Sequence, residues 1–303
     1  MMNQKYYFDR VDLLLSILPD VMQDERIALK GGTALNLFIL DMPRLSVDVD
    51  LTYVPLEGRE NSLQSIDDIF LGVQKRLKNK GLIATLKSTT DKHHKQIVVE
   101  KGSSLVKIEI NHVLRGSVHP LKTLSLSKKA QDAFSRYMDV QCLSLNDLYA
   151  GKICAALDRK HPRDLFDMYF YLKNYGYSRE LHQTFLVYLI SGSRPISELI
   201  RPNPLRNFEE LYNSEFLGML KEGIELDVLA DTFDRVVGLT SSSMTDSDKE
   251  FLMSFKEGKP KWNLLPFDHI KNMPAIMWKL HNIQQMDSGK HKEMLKTLEK
   301  KLT

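Results

Sequence analysis

The chain has 303 residues, 43% of them hydrophobic and 27% charged, with a formal net charge of +3. That length allows two domains with cores of their own, and the charge is too small to demand a nucleic-acid partner or to oppose an anionic one. Its two cysteines, Cys142 and Cys154, lack metal-type spacing, no apolar run approaches a membrane span, and Met1-Met2-Asn3-Gln4-Lys5 leads into no signal-type core; a disulfide framework and a membrane anchor are not expected, and the cytoplasm is.

In chain order, Val11, Leu13, Leu14, Leu15, Ile17 and Leu18 lie between charged residues over 8–18, the pattern of a helix that packs on a sheet and ends at Pro19. Ile27-Ala28-Leu29 reads as a short buried strand delivering Gly31 and Gly32, and Thr33 opens a helix that reaches Leu40 before Pro43 breaks it. Adjacent glycines let the backbone approach a ligand, and free N–H groups at a helix N-terminus attract anions, so Gly31, Gly32 and Thr33 form a candidate phosphate cradle. Val47-Asp48-Val49-Asp50-Leu51 then alternates with period two, apolar on one face and two carboxylates on the other. Neighbouring carboxylates repel unless a cation sits between them, and Mg²⁺ is held by one or two carboxylates plus phosphate oxygens. Either feature alone marks an ordinary turn or an acidic strand face; at strand–helix–strand spacing they point together to a metal–nucleotide site.

After a loop with Pro55 and Gly58, the residues Ile66, Ile69, Phe70, Val73 and Leu77 predict an amphipathic helix stopped by Gly81, giving a β-α-β-α order. Residues 96–100 and 105–110 flank Lys101-Gly102-Ser103-Ser104 as a hairpin. Val106, Ile108 and Ile110 share one face, which leaves Lys107 and Glu109 on the face that meets Asp48 and Asp50. Residues 111–122 read as irregular, a domain boundary is expected near 135, and from Ser144 the pattern turns helical almost to the end. Ser144 with Asp147 starts a helix of stripe Leu148, Ile153, Ala156 and Leu157, and Pro162 suits the first turn of the next helix, near whose positive end Asp164 and Asp167 fall. Lys152, Arg159, Arg163, Asp164 and Asp167 thus gather around a helix–turn–helix corner. On position alone, Lys152 is a surface lysine, Asp164 a helix-dipole aspartate, and Asp167 either an i+4 partner of Arg163 or a site residue. Loops follow at 191–195 and 201–204, then helices near 226–239, 246–256 and 269–285. The tail over 291–301 sets Lys292, Lys296, Lys300 and Lys301 on a solvated helix face. His93, His94, His112, His119 and His161 lack metal spacing and read as surface residues, His161 being nearest the corner.

A glycine and a hydroxyl residue opening a helix, followed by Asp-x-Asp on the next strand, resembles the nucleotidyltransferase superfamily. Within it, Gly31-Gly32-Thr33-Ala34-Leu35-Asn36-Leu37 and Arg44-Leu45-Ser46-Val47-Asp48-Val49-Asp50-Leu51 resemble the AbiEii/AbiGii toxin family. Lys107-Ile108-Glu109-Ile110-Asn111 is similar to that family's second motif, with Glu109 where an aspartate is more usual. The run from Lys152 to Asp167 is similar to its third motif, in which a lysine and an Arg-Asp pair complete the nucleotide site. Thr33 stands where serine is usual, keeping the hydroxyl and adding a methyl.

The resemblance implies an α/β fold, a nucleotidyltransferase-type mixed sheet with flanking helices over residues 1–135, followed by a mostly α-helical domain over 136–303 that completes the nucleotide site and binds the acceptor. It implies an NTP substrate, Mg²⁺ (or Mn²⁺) held by Asp48 and Asp50, catalytic roles for Asp48, Asp50, Glu109 and Asp164, and nucleotide contacts from Gly31, Gly32, Thr33, Ser46, Lys152 and Arg163. It further implies a toxin of abortive infection and phage defence, neutralised by a cognate antitoxin encoded nearby, with the 3′ end of tRNA as acceptor. Lys107, Arg159, Lys160, Arg163 and the C-terminal lysines are the groups expected to take RNA phosphates. Two other classes stay open on the residues alone: a nucleotide-binding interaction protein in which Thr33 and Glu109 mark lost turnover, and a metal-dependent phosphoesterase or nuclease using water.

Overall fold

The computed structural model describes residues 4–88, 95–221 and 223–303, so His93 and His94 lie outside the described residues. The chain divides into two compact units, Met1–Ser144 with Asn213–Gly223, and Leu145–Tyr212 with Ile224–Thr303.

In the first unit, α1 (Gln4–Val21) precedes β1 (Ile27–Lys30), a short α2 (Gly31–Ala34) that continues as a π-helical turn over Leu35–Ile39, β2 (Asp48–Tyr53) and α3 (Arg59–Asn79). Then come β3 (Ile83–Ser88), β4 (Lys95–Lys101), β5 (Ser104–Asn111), β6 (Lys122–Ser125), α4 (Lys128–Phe134) and β7 (Asp139–Cys142). Among the described residues the seven strands make one mixed sheet of order β3-β4-β5-β2-β1-β7-β6. Pro19 does not end α1, which runs two residues further; it removes only one donor in the last turn. Gly81, with φ +77°, closes α3, and Gly102, φ +60°, turns the β4–β5 hairpin. The sheet does not stop at 135, because β7 pairs in parallel with β1 at Leu29 and Cys142 and antiparallel with β6.

Helices α1 and α3 cover the sheet face made by Val49, Leu51, Val106, Ile108 and Ile110, all at most 2% exposed. Each such side chain contributes about 1.5–3 kcal/mol on burial, so this face fixes the register. A slip of one residue would put Asp48, Asp50 and Glu109 into the core.

The second unit is helical: α5 (Leu145–Arg159), α6 (Pro162–Asn174), α7 (Arg179–Ser191), α8 (Ile196–Ile200), α9 (Phe208–Leu211), α10 (Leu226–Ser242), α11 (Asp246–Lys256), α12 (Pro274–Gln284) and α13 (Ser288–Leu302). Helix α5 packs on α6 and α7 through Leu148, Ile153, Ala156 and Leu157. Helix α13 buries Leu298 and Leu302 and exposes Lys292, Lys296 and Lys300, while Lys301 is half-buried. Cys142 and Cys154 are free thiols, and burial pushes both up to about 12. Among the described residues no helix is long and apolar enough to cross a membrane.

Candidate active site

The alternation of β2 leaves Asp48 and Asp50 on the uncovered face, and the parallel pairing with β5 sets Asp48 beside Lys107 and Asp50 beside Glu109. Lys30 lies opposite Asp50 on the other side, and Gln96 opposite Glu109. A single row, Lys30, Asp50, Glu109 and Gln96, therefore crosses four strands. These four residues, with Lys95 and Asn111, line a cavity of about 250 Å³. Nothing in the sequence marks Lys30 and Gln96 as neighbours of the acids; only the pairing of β1 and β4 with β2 and β5 brings their positions to one cavity, while Lys95, one residue before Gln96, points the other way and pairs with Asp67 of α3 at 2.6 Å.

The glycines owe their identity to this row. Gly31 has φ +70°, and a Cβ there would stand 2.5 Å from Asp50 Oδ2. A Cβ on Gly32 would stand 2.7 Å from Arg44 Nη2 and 2.9 Å from Ser46 Oγ. The backbone thus meets the Asp50 carboxylate on one side and the buried Arg44 guanidinium on the other. The helix begins at Gly31 rather than Thr33, so both glycines belong to its first turn.

Thr33 is fully buried. Its hydroxyl donates to the Asp48 carbonyl oxygen at 2.6 Å and lies 3.0 Å from the Ser46 hydroxyl, itself 8% exposed. The threonine ties the first turn of α2 to the start of β2 and so positions the Asp48–Asp50 segment. Asn36 adds to this by donating from Nδ2 to the Gly32 carbonyl at 3.0 Å.

Asp48 reaches Arg10 of α1, Nη2 to Oδ1, at 3.7 Å. At that distance, and with Asp48 39% exposed, the pair is worth at most about 1 kcal/mol. Among the described residues no three His, Cys, Asp or Glu side chains are gathered closely enough to hold a metal ion. The donor chemistry nevertheless fits a hard divalent cation. Asp50 and Glu109 are in register, Asp48 is two residues along the same face, and all three offer carboxylate oxygens only.

In the helical unit, Lys152 is 7% exposed, and its ammonium sits 2.9 Å from Asp164 Oδ1 and 3.0 Å from Asp167 Oδ2. Arg159, largely exposed, reaches Asp164 Oδ2 at 3.0 Å. Burial raises the Asp164 carboxyl, but Lys152 and Arg159 outweigh it and hold the group below its ordinary value. Asp167 thus pairs with Lys152 and not with Arg163, because α6 turns it into the interior. His161 caps α6, its Nδ1 accepting from the Arg163 amide at 3.1 Å. His112 is buried, not a surface residue, and the Tyr188 hydroxyl donates to the buried Asp147 at 3.0 Å.

The model of the AbiEii nucleotidyl transferase toxin of type IV toxin–antitoxin systems matches residues 12–238. The chain belongs to this nucleotidyltransferase toxin family. No curated protein matches it. Among solved structures it is similar to MenT4, a nucleotidyltransferase toxin from Mycobacterium tuberculosis H37Rv, at TM-score 0.61 and 14% identity, over 98% of this chain and 92% of that one. At that identity the likeness carries the fold, and the mixed sheet with flanking helices is that fold. The family match takes in both units: the glycine turn, the acid pair and Glu109 in one, the Lys152–Asp167 run in the other.

Proposed function

We propose that this toxin moves a nucleoside monophosphate from an NTP to an acceptor hydroxyl and releases pyrophosphate, with Asp48, Asp50 and Glu109 as its acids. The observation that carries the reading is the register of Asp50 with Glu109 beside a glycine turn that admits no side chain. The turn's amides and the Arg44 guanidinium supply positive potential for the β and γ phosphates. The acceptor oxygen forms a bond to the α phosphorus as the bond to the bridging oxygen breaks, and the hydroxyl proton passes to Glu109, whose longer arm extends into the cavity. Asp48 and Asp50 would hold a divalent cation, Mg²⁺ or Mn²⁺, which would neutralise phosphate charge and lower the hydroxyl pKa. Thr33 and Ser46 act through the backbone of β2. For Lys152, Arg163 and Asp164 the assignment to the nucleotide rests on the third-motif resemblance; within its own unit Lys152 is engaged by Asp164 and Asp167.

The acceptor we infer is RNA, with the tRNA 3′ end favoured by the family likeness, and the partner an antitoxin protein encoded nearby. Incubation with each NTP labelled at the α or the γ phosphate, Mg²⁺ and total RNA tests this. Label should join RNA from the α position only, with pyrophosphate released. Cleaved RNA without label would mark a nuclease, and bound nucleotide without transfer a binding protein.

A further inference from the structure

We propose that the helical unit carries a phosphate-binding site made by Lys160, Arg201 and Lys301, around a cavity of about 130 Å³ that Arg194 also lines. The inference stands independently of nucleotidyl transfer. Four cations from four parts of the chain converge there: the end of α5, the loop after α7, the residue after α8 and the last turn of α13. Of the cavity's two carboxylates, Asp158 accepts from Arg194 Nε at 2.7 Å, and the exposed Glu198 lies 3.9 Å from the same guanidinium. Lys301 donates only to the neutral Ser197 carbonyl, at 3.0 Å. Among the described residues Lys160 and Arg201 make no side-chain hydrogen bond or ion pair. Lys160, Arg201 and Lys301 therefore face one small polar cavity in which none of them is ion-paired to either carboxylate, Asp158 or Glu198, and four cations outnumber two anions, which suits a group carrying several acceptor oxygens and negative charge.

Two further features mark the site as built. Lys160 has φ +55° at the position just past α5, where glycine is the least strained residue. The Arg194 loop is held by Lys279, whose ammonium donates to the carbonyls of Gly192 at 2.6 Å and Arg194 at 3.0 Å. A cation at the C-terminal end of α5 also favours the helix dipole. That alternative predicts the opposite stability change when the lysine becomes glycine.

The phosphate belongs to a nucleic-acid backbone or to a small phosphorylated molecule, and two probes tell these apart: inorganic phosphate, followed by phosphorus NMR, and a short single-stranded RNA without terminal phosphates. Full-length protein carrying Asp50→Asn, so that transfer does not interfere, is compared with the same protein bearing Lys160→Gly and Arg201→Ala. Phosphate should compete with RNA, and the double change should weaken RNA binding about tenfold while lowering the log–log salt slope by about 1.4. Lys160→Gly alone should raise the melting temperature. Loss of phosphate binding with RNA unaffected assigns the same site to a small ligand. Equal binding of both probes before and after the double change, absence of binding to either, or a fall in melting temperature for Lys160→Gly with binding unchanged, overturns the proposal.

Discussion

Two groups of charged residues behave oppositely in this molecule. On the sheet, Asp48, Asp50 and Glu109 share the face opposite the one that α1 and α3 cover, and the Arg10 guanidinium stands 3.7 Å from Asp48. In the helical unit, Lys152, Asp164 and Asp167 are all under 8% exposed and paired at 2.9–3.0 Å. Exposed like charges are tolerated by solvent and contribute little to folding, whereas a buried ion cluster must stay intact because each member left alone is an unsolvated charge. The first arrangement sets its carboxylates where solvent reaches them. The second holds a helix pair together, whatever else it does.

The sharpest break in this contrast comes from Lys152→Ala, which leaves Asp164 and Asp167 facing each other in the interior. A loss of about 3–5 kcal/mol is expected in urea unfolding. The Asp164 carboxyl lies below its ordinary value in the fold, so its contribution is present above the unfolded value of 3.8 and disappears as pH falls through the folded value. A wild-type acid limb steeper than that of Asp164→Asn would show this.

Gly31→Ala should come next, at about 1–3 kcal/mol, since the residue must hold φ +70° and its methyl meets Asp50. It should also remove transfer, because relief of the clash displaces the acid. Calorimetry and the labelled-NTP assay on the same sample separate the two effects. If Gly31→Ala folds and transfers normally, the close approach of turn and acid has no role.

His182 provides a pH effect of similar size. Burial pushes it down to about 4 from 6.5, against the pull of Asp248. With the folded value depressed, the stability is present above 6.5 and is lost as pH falls between 6.5 and about 4, on the order of 1–3 kcal/mol. His182→Gln should flatten the melting temperature over that window. An unchanged slope would show that the ring is solvated in the fold.

Thr33→Val keeps the shape and removes the hydroxyl that donates to the Asp48 carbonyl; about 1–2 kcal/mol should be lost, and less for Thr33→Ser. Transfer should follow the same order, since the effect on the acids is indirect. Equal activity in both variants would place the hydroxyl outside the positioning of β2.

Much of this architecture is legible in the sequence because it rests on local periodicity. The alternation of 47–51 and 105–110 states which faces Asp50 and Glu109 occupy, and the hairpin and helix patterns state which elements carry them. What is not legible depends on distant partners. Strands β6 and β7 have four residues each and acquire their identity from pairing with each other and with β1, more than 100 residues earlier. The return of Asn213–Gly223 to the first unit, where Leu220 bridges to Arg44, leaves no periodic trace. Position suggests a surface Lys152, and only the packing of α5 on α6 buries it between two carboxylates. The Thr33 hydroxyl reads as a ligand-facing group until the start of β2 is placed against it.

Asp50→Asn tests the central claim most directly, because the change is nearly isosteric and falls on a partly exposed side chain. Its melting temperature should lie within about 0.5 kcal/mol equivalent of the parent, since surface substitutions away from buried networks cost little. Transfer of α-labelled nucleotide to RNA should be abolished, while unfolding in urea remains that of the parent. Transfer at the parent rate by a folded Asp50→Asn protein would contradict the assignment of the chemistry to this face of the sheet.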